Sequence, residues 1–265
     1  MKNKPIIIVS GEPNSVFLEI FFKSLKFKKF KSPIILISSL NLLRLNMRKF
    51  KFKKKINLIR MDSLNNNDFN NDSINLINID LDIKDLSLKN YKINKFIEKS
   101  FEVGLNILKL GITNKLINGP ISKKNFLKKK YIGVTEYLAH KTKVKNYAMV
   151  IFNKKLSVSP IITHEPLKFV SKNISKSKIV KKIKIIDKFW KTKFNQKPKI
   201  AITGLNPHCE SSDIFNEDKK IVSPAVKILK KSKVNIEGPF SADTIFTKSN
   251  RNKYNIIVGM YHDQV

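Results

Sequence analysis

The stretch "KIAITGLNPHC", residues 199–209, decides the fold class. A short apolar run over Ile200, Ala201 and Ile202 stops at Gly204, and a polar loop with Asn206, Pro207 and His208 follows. A brief apolar run bounded by turn formers reads as a buried strand. The same arrangement recurs along the chain. Gly11-Glu12-Pro13 follows a strand expected over residues 5–10, and Asn118 to Lys123 follow one over 115–117. Thr163-His164-Glu165-Pro166 follows a strand over 156–162, and Tyr261-His262-Asp263-Gln264 follows one over 254–260. Further strands are expected over 33–37, 74–79 and 147–152, the last joined to 156–162 by a turn at Asn153-Lys154-Lys155.

Between these runs lie helical patterns. In the clearest, over 90–110, Ile93, Phe96, Ile97, Phe101, Leu105 and Leu108 recur at three- and four-residue spacing, and Gly111 closes it. Others are expected over 16–27, 40–47, 135–140, 175–190 and 218–230, while the Asn/Asp-rich residues 61–74 read as a surface loop. Strands alternating with helices predict an α/β fold with a largely parallel sheet. In such sheets ligands bind beyond the carboxyl ends of the strands, where all five polar clusters fall.

The 265 residues suffice for one large domain or two of ordinary size, and 42% of them are apolar, as in a globular chain. No apolar stretch approaches the length of a membrane helix, and the apolar part of residues 1–10 is too short for a signal peptide. A soluble cytoplasmic protein is therefore expected. The lone Cys209 excludes an internal disulfide. The net charge of +33 suggests a nucleic-acid partner, but all except four of the 53 basic residues are lysines. Surfaces dedicated to nucleic acid favour arginine, and lysine accompanied by abundant Asn and Ile fits compositional drift better.

Three of the four histidines, His164, His208 and His262, occupy equivalent positions after strands. Imidazole is the commonest metal ligand, and three of them can hold an ion with positions left open for substrate. Each alone reads better as an ordinary loop histidine; their shared placement favours a metal. His140, in a lysine-rich helix end, reads as a surface residue. Asp243 in "GPFSADTIF" (238–246) reads either as a substrate- or metal-positioning carboxylate or as a helix N-cap. Asp263 could orient the His262 imidazole or be solvated. Lys123 is a candidate anion-binding or acid/base group, and Cys209 reads as packing. Neither a phosphate-binding P-loop nor a G-x-G-x-x-G fingerprint occurs.

Together "IIIVSGEP" (6–13), "INGPISK" (117–123), "GVTEYLA" (133–139), "ITHEPL" (162–167), "ITGLNPHCESSDIF" (202–215), "GPFSADTIF" and "MYHDQ" (260–264) resemble the 4-hydroxythreonine-4-phosphate dehydrogenase family of vitamin B6 biosynthesis. The resemblance implies two α/β domains with largely parallel sheets, of the isocitrate and isopropylmalate dehydrogenase kind. On that template residues 1–115 form the first domain and 116–265 the second, with the metal-binding loops and dimer interface. It implies a homodimer with a shared active site. A divalent metal (zinc, magnesium or cobalt) would sit on His164, His208 and His262, and Thr135 would bind substrate. Asp243 and Lys123, from the reading of the residues above, are the candidate catalytic groups. The implied reaction is NAD- or NADP-linked oxidation of 4-phosphooxy-L-threonine to 2-amino-3-oxo-4-phosphooxybutanoate, which decarboxylates to 3-amino-2-oxopropyl phosphate.

The chain departs from the pattern in three places. Val134 stands where the family has a histidine beside Thr135. Asn14 to Leu18 replace a small, Gly-rich stretch. Family chains also continue well past Tyr-His-Asp-Gln, so the resemblance implies a fragment lacking most of the NAD-binding segment. The alternatives are a related dehydrogenase of phospho-threonate or phospho-erythronate, a lysine-rich nucleic-acid-binding protein, and an inactive fragment.

Overall fold

A computed structural model describes residues 3–64, 69–82, 84, 90–127, 130–209 and 216–265. They form two compact units, Met1–Val134 and Thr135–Val265. The first holds strands β1 (Ile6–Val9), β2 (Ile34–Ser38), β3 (Ile56–Leu58), β4 (Ile74–Asn78) and β5 (Leu116–Asn118). They form one parallel sheet in the order β3-β4-β2-β1-β5. Helices α1 (Phe17–Phe27), α2 (Leu40–Lys49) and α3 (Asn90–Lys109) connect them. A boundary expected after residue 115 is corrected to Val134, because β5 pairs with β1, Ile7 facing Leu116 and Val9 facing Asn118.

Strands covered on both faces read as unbroken apolar runs, and "IIIV" and "IILIS" are such runs. Ile8, Ile34 and Leu36 pack with Leu18, Phe21 and Leu43 from α1 and α2. The alternate residues Val9 and Ile37 face α3, where a Cβ on Gly104 would touch both side chains. At the carboxyl end of this sheet the loops after β1 and β5 lock together. The Gly119 amide donates to the Val9 carbonyl (2.7 Å) and the Glu12 amide to the Pro120 carbonyl (2.9 Å). A Cβ on Gly119 would lie 2.1 Å from the Ser10 carbonyl oxygen, so only glycine permits this approach.

The second unit contains α4 (Val134–Lys141), β6 (Ser157–Ile162), α5 (Val170–Asn173), α6 (Lys176–Phe194), β7 (Ile200–Thr203), α7 (Ser223–Lys231), β8 (Ile236–Phe240), α8 (Ala242–Ile245), α9 (Lys248–Arg251) and β9 (Ile256–Tyr261). Its sheet is also parallel, in the order β6-β9-β7-β8. Helix α6 starts where the Ser175 hydroxyl accepts from the Lys178 amide (3.2 Å) and ends at Asn195 in the left-handed region (φ 50°). Ile179, Ile183, Ile186 and Trp190, spaced at three and four, bury one face against Ile200, Val258 and Leu229.

Two expectations are corrected here. No strand forms over 147–152; only Ile151 bridges to Val158, antiparallel, and does not extend a ladder. β3 and β8 were not expected. β8 carries Gly238 and Pro239, residues poor in strands, and the edge of the sheet is where a proline is tolerated. The helix expected over 218–230 forms, its first turn, Asp218–Val222, being π-helical and running directly into α7.

Candidate functional site

β6, β9 and β7 are consecutive in the second sheet, and each ends at one of the three histidine loops. Ile162 faces Tyr261 at the close of the β6–β9 ladder, which sets His164 and His262 beside each other. Their rings lie 5.9 Å apart, centroid to centroid. His208 stands apart from this pair in its contacts: its Nδ1 is 3.6 Å from Asp243 Oδ2, with both side chains largely exposed. Among the described residues no three His, Cys, Asp or Glu side chains converge closely enough to hold a metal ion.

Each loop is braced from behind. Gln264 closes the turn after β9: its Oε1 accepts from Thr203 Oγ1 (2.8 Å) and the Met260 amide (2.7 Å), and its Nε2 donates to the Gly204 carbonyl (2.7 Å). One side chain thus ties the end of β9 to the end of β7. The buried Asp218 carboxylate accepts from the amides of Leu205 (2.5 Å) and Asn206 (3.1 Å) and from Asn206 Nδ2 (3.0 Å). These donors satisfy a charge that burial would otherwise make costly. Gly204 makes room: a Cβ there would meet Cys209 Sγ at 2.6 Å and Asp218 Oδ1 at 2.9 Å. Cys209, at φ 61°, is packed in this turn, as expected. The Ser241 hydroxyl donates to the Pro207 carbonyl (2.7 Å) and joins the loop after β8 to the His208 loop.

Behind His164 lies Glu136, in the first turn of α4. Its Oε1 accepts from Thr163 Oγ1 (3.0 Å), and its Oε2 is 3.5 Å from His164 Nδ1. The Lys182 ammonium donates to the Ile161 carbonyl (2.6 Å). Burial, then the Lys178 charge, lowers its pKa, while Glu136 and Glu165 act the other way. Burial first, and Glu136 second, raise the pKa of the Tyr147 hydroxyl.

The remaining predicted residues are placed as follows. Thr135 is half-buried beside Glu136 in the first turn of α4, and Val134 opens that helix. Asp243 lies inside α8, and Ser241 occupies the N-cap position, so the N-cap reading of Asp243 is corrected. Asp263 is 85% exposed with Oδ1 3.4 Å from His262 Nδ1, which makes it a solvated neighbour. His140 is exposed at the end of α4. Lys123 is an exposed residue of the other unit. The 210–215 part of the "NPHCESSDIF" motif lies outside the described residues. Glu136, Asp218 and Gln264 were not singled out from sequence; Glu136 and Gln264 lie inside quoted motifs, the only signal available for them.

A parallel sheet flanked by helices, with histidine-bearing loops at its carboxyl end, defines the class as an α/β protein with a candidate site of the strand-end type. Residues 29–265 match the model of the family "Pyridoxal phosphate biosynthetic protein PdxA", and the chain belongs to that family. It is 47% identical over 154 residues to the 4-hydroxythreonine-4-phosphate dehydrogenase of Sulfurihydrogenibium sp. (strain YO3AOP1), covering 56% of this chain and 47% of that protein. It is 35% identical over 135 residues to the D-threonate 4-phosphate dehydrogenase of Pectobacterium atrosepticum, covering 51% of this chain and 41% of that one. The matched sequence thus spans about half the length of these relatives. The crystal structure of 4-hydroxythreonine-4-phosphate dehydrogenase from Klebsiella pneumoniae superposes with a TM-score of 0.84 at 27% identity, over 99% of this chain and 82% of that one. Among the described residues no helix is long and apolar enough to cross a membrane.

Proposed function

We propose that this chain is the metal-binding part of a cytoplasmic, dimeric dehydrogenase that oxidises 4-phosphooxy-L-threonine with NAD or NADP. The observation that carries the reading is the delivery of His164, His208 and His262 by three adjacent strands of one sheet. Of the divalent ions zinc, magnesium and cobalt, the imidazole donors fit zinc or cobalt better than magnesium, which prefers oxygen ligands. His164 and His262 lie side by side, and Nδ1 of His164 faces the Glu136 carboxylate, which leaves its Nε2 pointing away from Glu136. In this reading association of two copies completes the ligand set. When bound, the ion would supply Lewis-acid stabilisation of the substrate hydroxyl oxygen, while the carbon bearing that oxygen gives its hydride to the nicotinamide.

The chain's own residues have separate tasks. Asp243, beside His208, holds or passes the proton of the substrate hydroxyl. Thr135 donates its hydroxyl to the anionic substrate, and the Lys123 ammonium binds the anion, a role taken from its motif alone. Alanine at His164, His208 or His262 should each reduce zinc binding in equilibrium dialysis by more than tenfold. Zinc binding undiminished by all three would refute the metal site.

A second reading has a specific observation behind it. Val134 cannot donate a hydrogen bond where the family has histidine, and relatives at 35% identity carry the name D-threonate 4-phosphate dehydrogenase. Turnover of 4-phospho-D-threonate above that of 4-phosphooxy-L-threonine would favour it.

A further inference from the structure

We propose that Glu136 is the positioning residue that fixes the ring tautomer and aim of His164, and thereby the strength of metal binding. The inference rests on reading His164 as a ligand. Its basis is a polar pair shut away from water. The Glu136 and His164 side chains are 17% and 22% exposed. Glu136 Oε2 and His164 Nδ1 are both fully buried atoms with no hydrogen-bond partner among the described residues. They lie 3.5 Å apart. Thr163 Oγ1 holds the other carboxylate oxygen at 3.0 Å, so the carboxylate cannot swing away to find another donor.

A buried carboxylate oxygen left unpaired is costly, so the proton of a neutral His164 belongs on Nδ1. A small closure of the 3.5 Å gap turns the contact into a charge-assisted hydrogen bond. The lone pair then sits on Nε2, the nitrogen pointing away from Glu136. Sequence adjacency does part of this work. Thr163 and His164 are consecutive at the end of β6, and both engage one carboxylate in the first turn of α4. His262 lacks such support, since its carboxylate neighbour Asp263 is 85% exposed. The two imidazoles are therefore unequal: one is backed by a buried carboxylate, the other by an exposed one.

The test uses the full chain labelled with 15N in histidine, as Glu136→Gln and Glu136→Ala. Ring-nitrogen chemical shifts in the metal-free protein report the His164 tautomer, and chelator competition reports zinc affinity. The resonance is assigned with His164→Ala. The wild type should show Nδ1–H at His164. Glu136→Ala should move it toward the Nε2–H form common in solution and weaken zinc by about 10–100-fold. Glu136→Gln keeps an acceptor and should retain the tautomer with a smaller loss. Trp190 fluorescence confirms that each variant is folded. An unchanged tautomer in Glu136→Ala, or wild-type zinc affinity in both variants, overturns the proposal. If His164→Ala and His262→Ala bind zinc like the wild type, the metal reading fails instead, while the tautomer measurement still judges Glu136.

Discussion

Tyr254 shows how one residue's environment is set by packing more than by its partner. It is 7% exposed, within a small core with Ala201, Ile245 and Ile257, and its hydroxyl donates to Glu237 Oε2 at 2.6 Å. Burial first, and Glu237 second, push its pKa up to about 12. The hydrogen bond from Tyr254 is also the main reason that the Glu237 carboxyl is held below its usual value. Unfolded tyrosines ionise near 10. The folded state thus binds this proton more tightly, and the group's stabilisation is intact below pH 10 and lost between about 10 and 12. In an ultraviolet titration of the folded protein, one tyrosine should ionise with a midpoint near 12, and Tyr254→Phe should remove that step. Glu237→Gln should lower the midpoint only in part, because burial remains. A late step that survives Tyr254→Phe would place the perturbed hydroxyl elsewhere.

At the scale of elements, the loops of the candidate site are held by groups that span strand ends. Gln264 makes three such bonds, to Thr203, the Met260 amide and the Gly204 carbonyl. Gln264→Ala should lower stability by about 1–3 kcal/mol, read as a shift in the urea midpoint. Gln264→Glu should be no better, since it sets an oxygen against the Gly204 carbonyl oxygen. A neutral effect would mean that water replaces the clamp. The strands β1, β2, β4, β6, β7 and β9 were legible in sequence because burial leaves an apolar run in the chain, and β5, with Ile117 half exposed, by its place between the Gly111 that closes α3 and the Asn118–Lys123 loop. β8 was not, since an edge strand tolerates Gly238-Pro239, and β3 was not, since it has only three residues with Asn57 and Leu58 exposed. The run at 147–152 misled for the opposite reason: it is continuously apolar, yet among the described residues it makes a single bridge, Ile151 to Val158, and no ladder. The histidine loops were legible by their place after strands. Glu136 and Asp218 were not, because a carboxylate's role depends on which amides or imidazoles the fold brings to it.

At the scale of the whole molecule, a site shared between two copies has a signature that separates it from a site built in one chain. If the ligands come from both copies, at least one pairwise mixture of His164→Ala, His208→Ala and His262→Ala chains should recover zinc binding that neither variant shows alone. With random exchange roughly half of the dimers are mixed and one of their two sites is intact, so about a quarter of wild-type capacity should return. Equilibrium dialysis after subunit exchange measures it. Recovery in none of the three mixtures would mean that each chain builds its own site. The charge of +33 adds electrostatic repulsion that association must overcome, so salt should strengthen the dimer.

The strand order β6-β9-β7-β8 carries one more implication, for biosynthesis. Among the described residues β9 is the last strand of this sheet in chain order, yet it lies inside it, paired with β6 on one side and β7 on the other. As the chain leaves the ribosome, β6 and β7 wait with unpaired backbone edges until residues 256–261 arrive to be inserted between them. The nascent protein is therefore most prone to aggregate immediately before its second sheet closes, and the step that ends the hazard is the one that delivers His262.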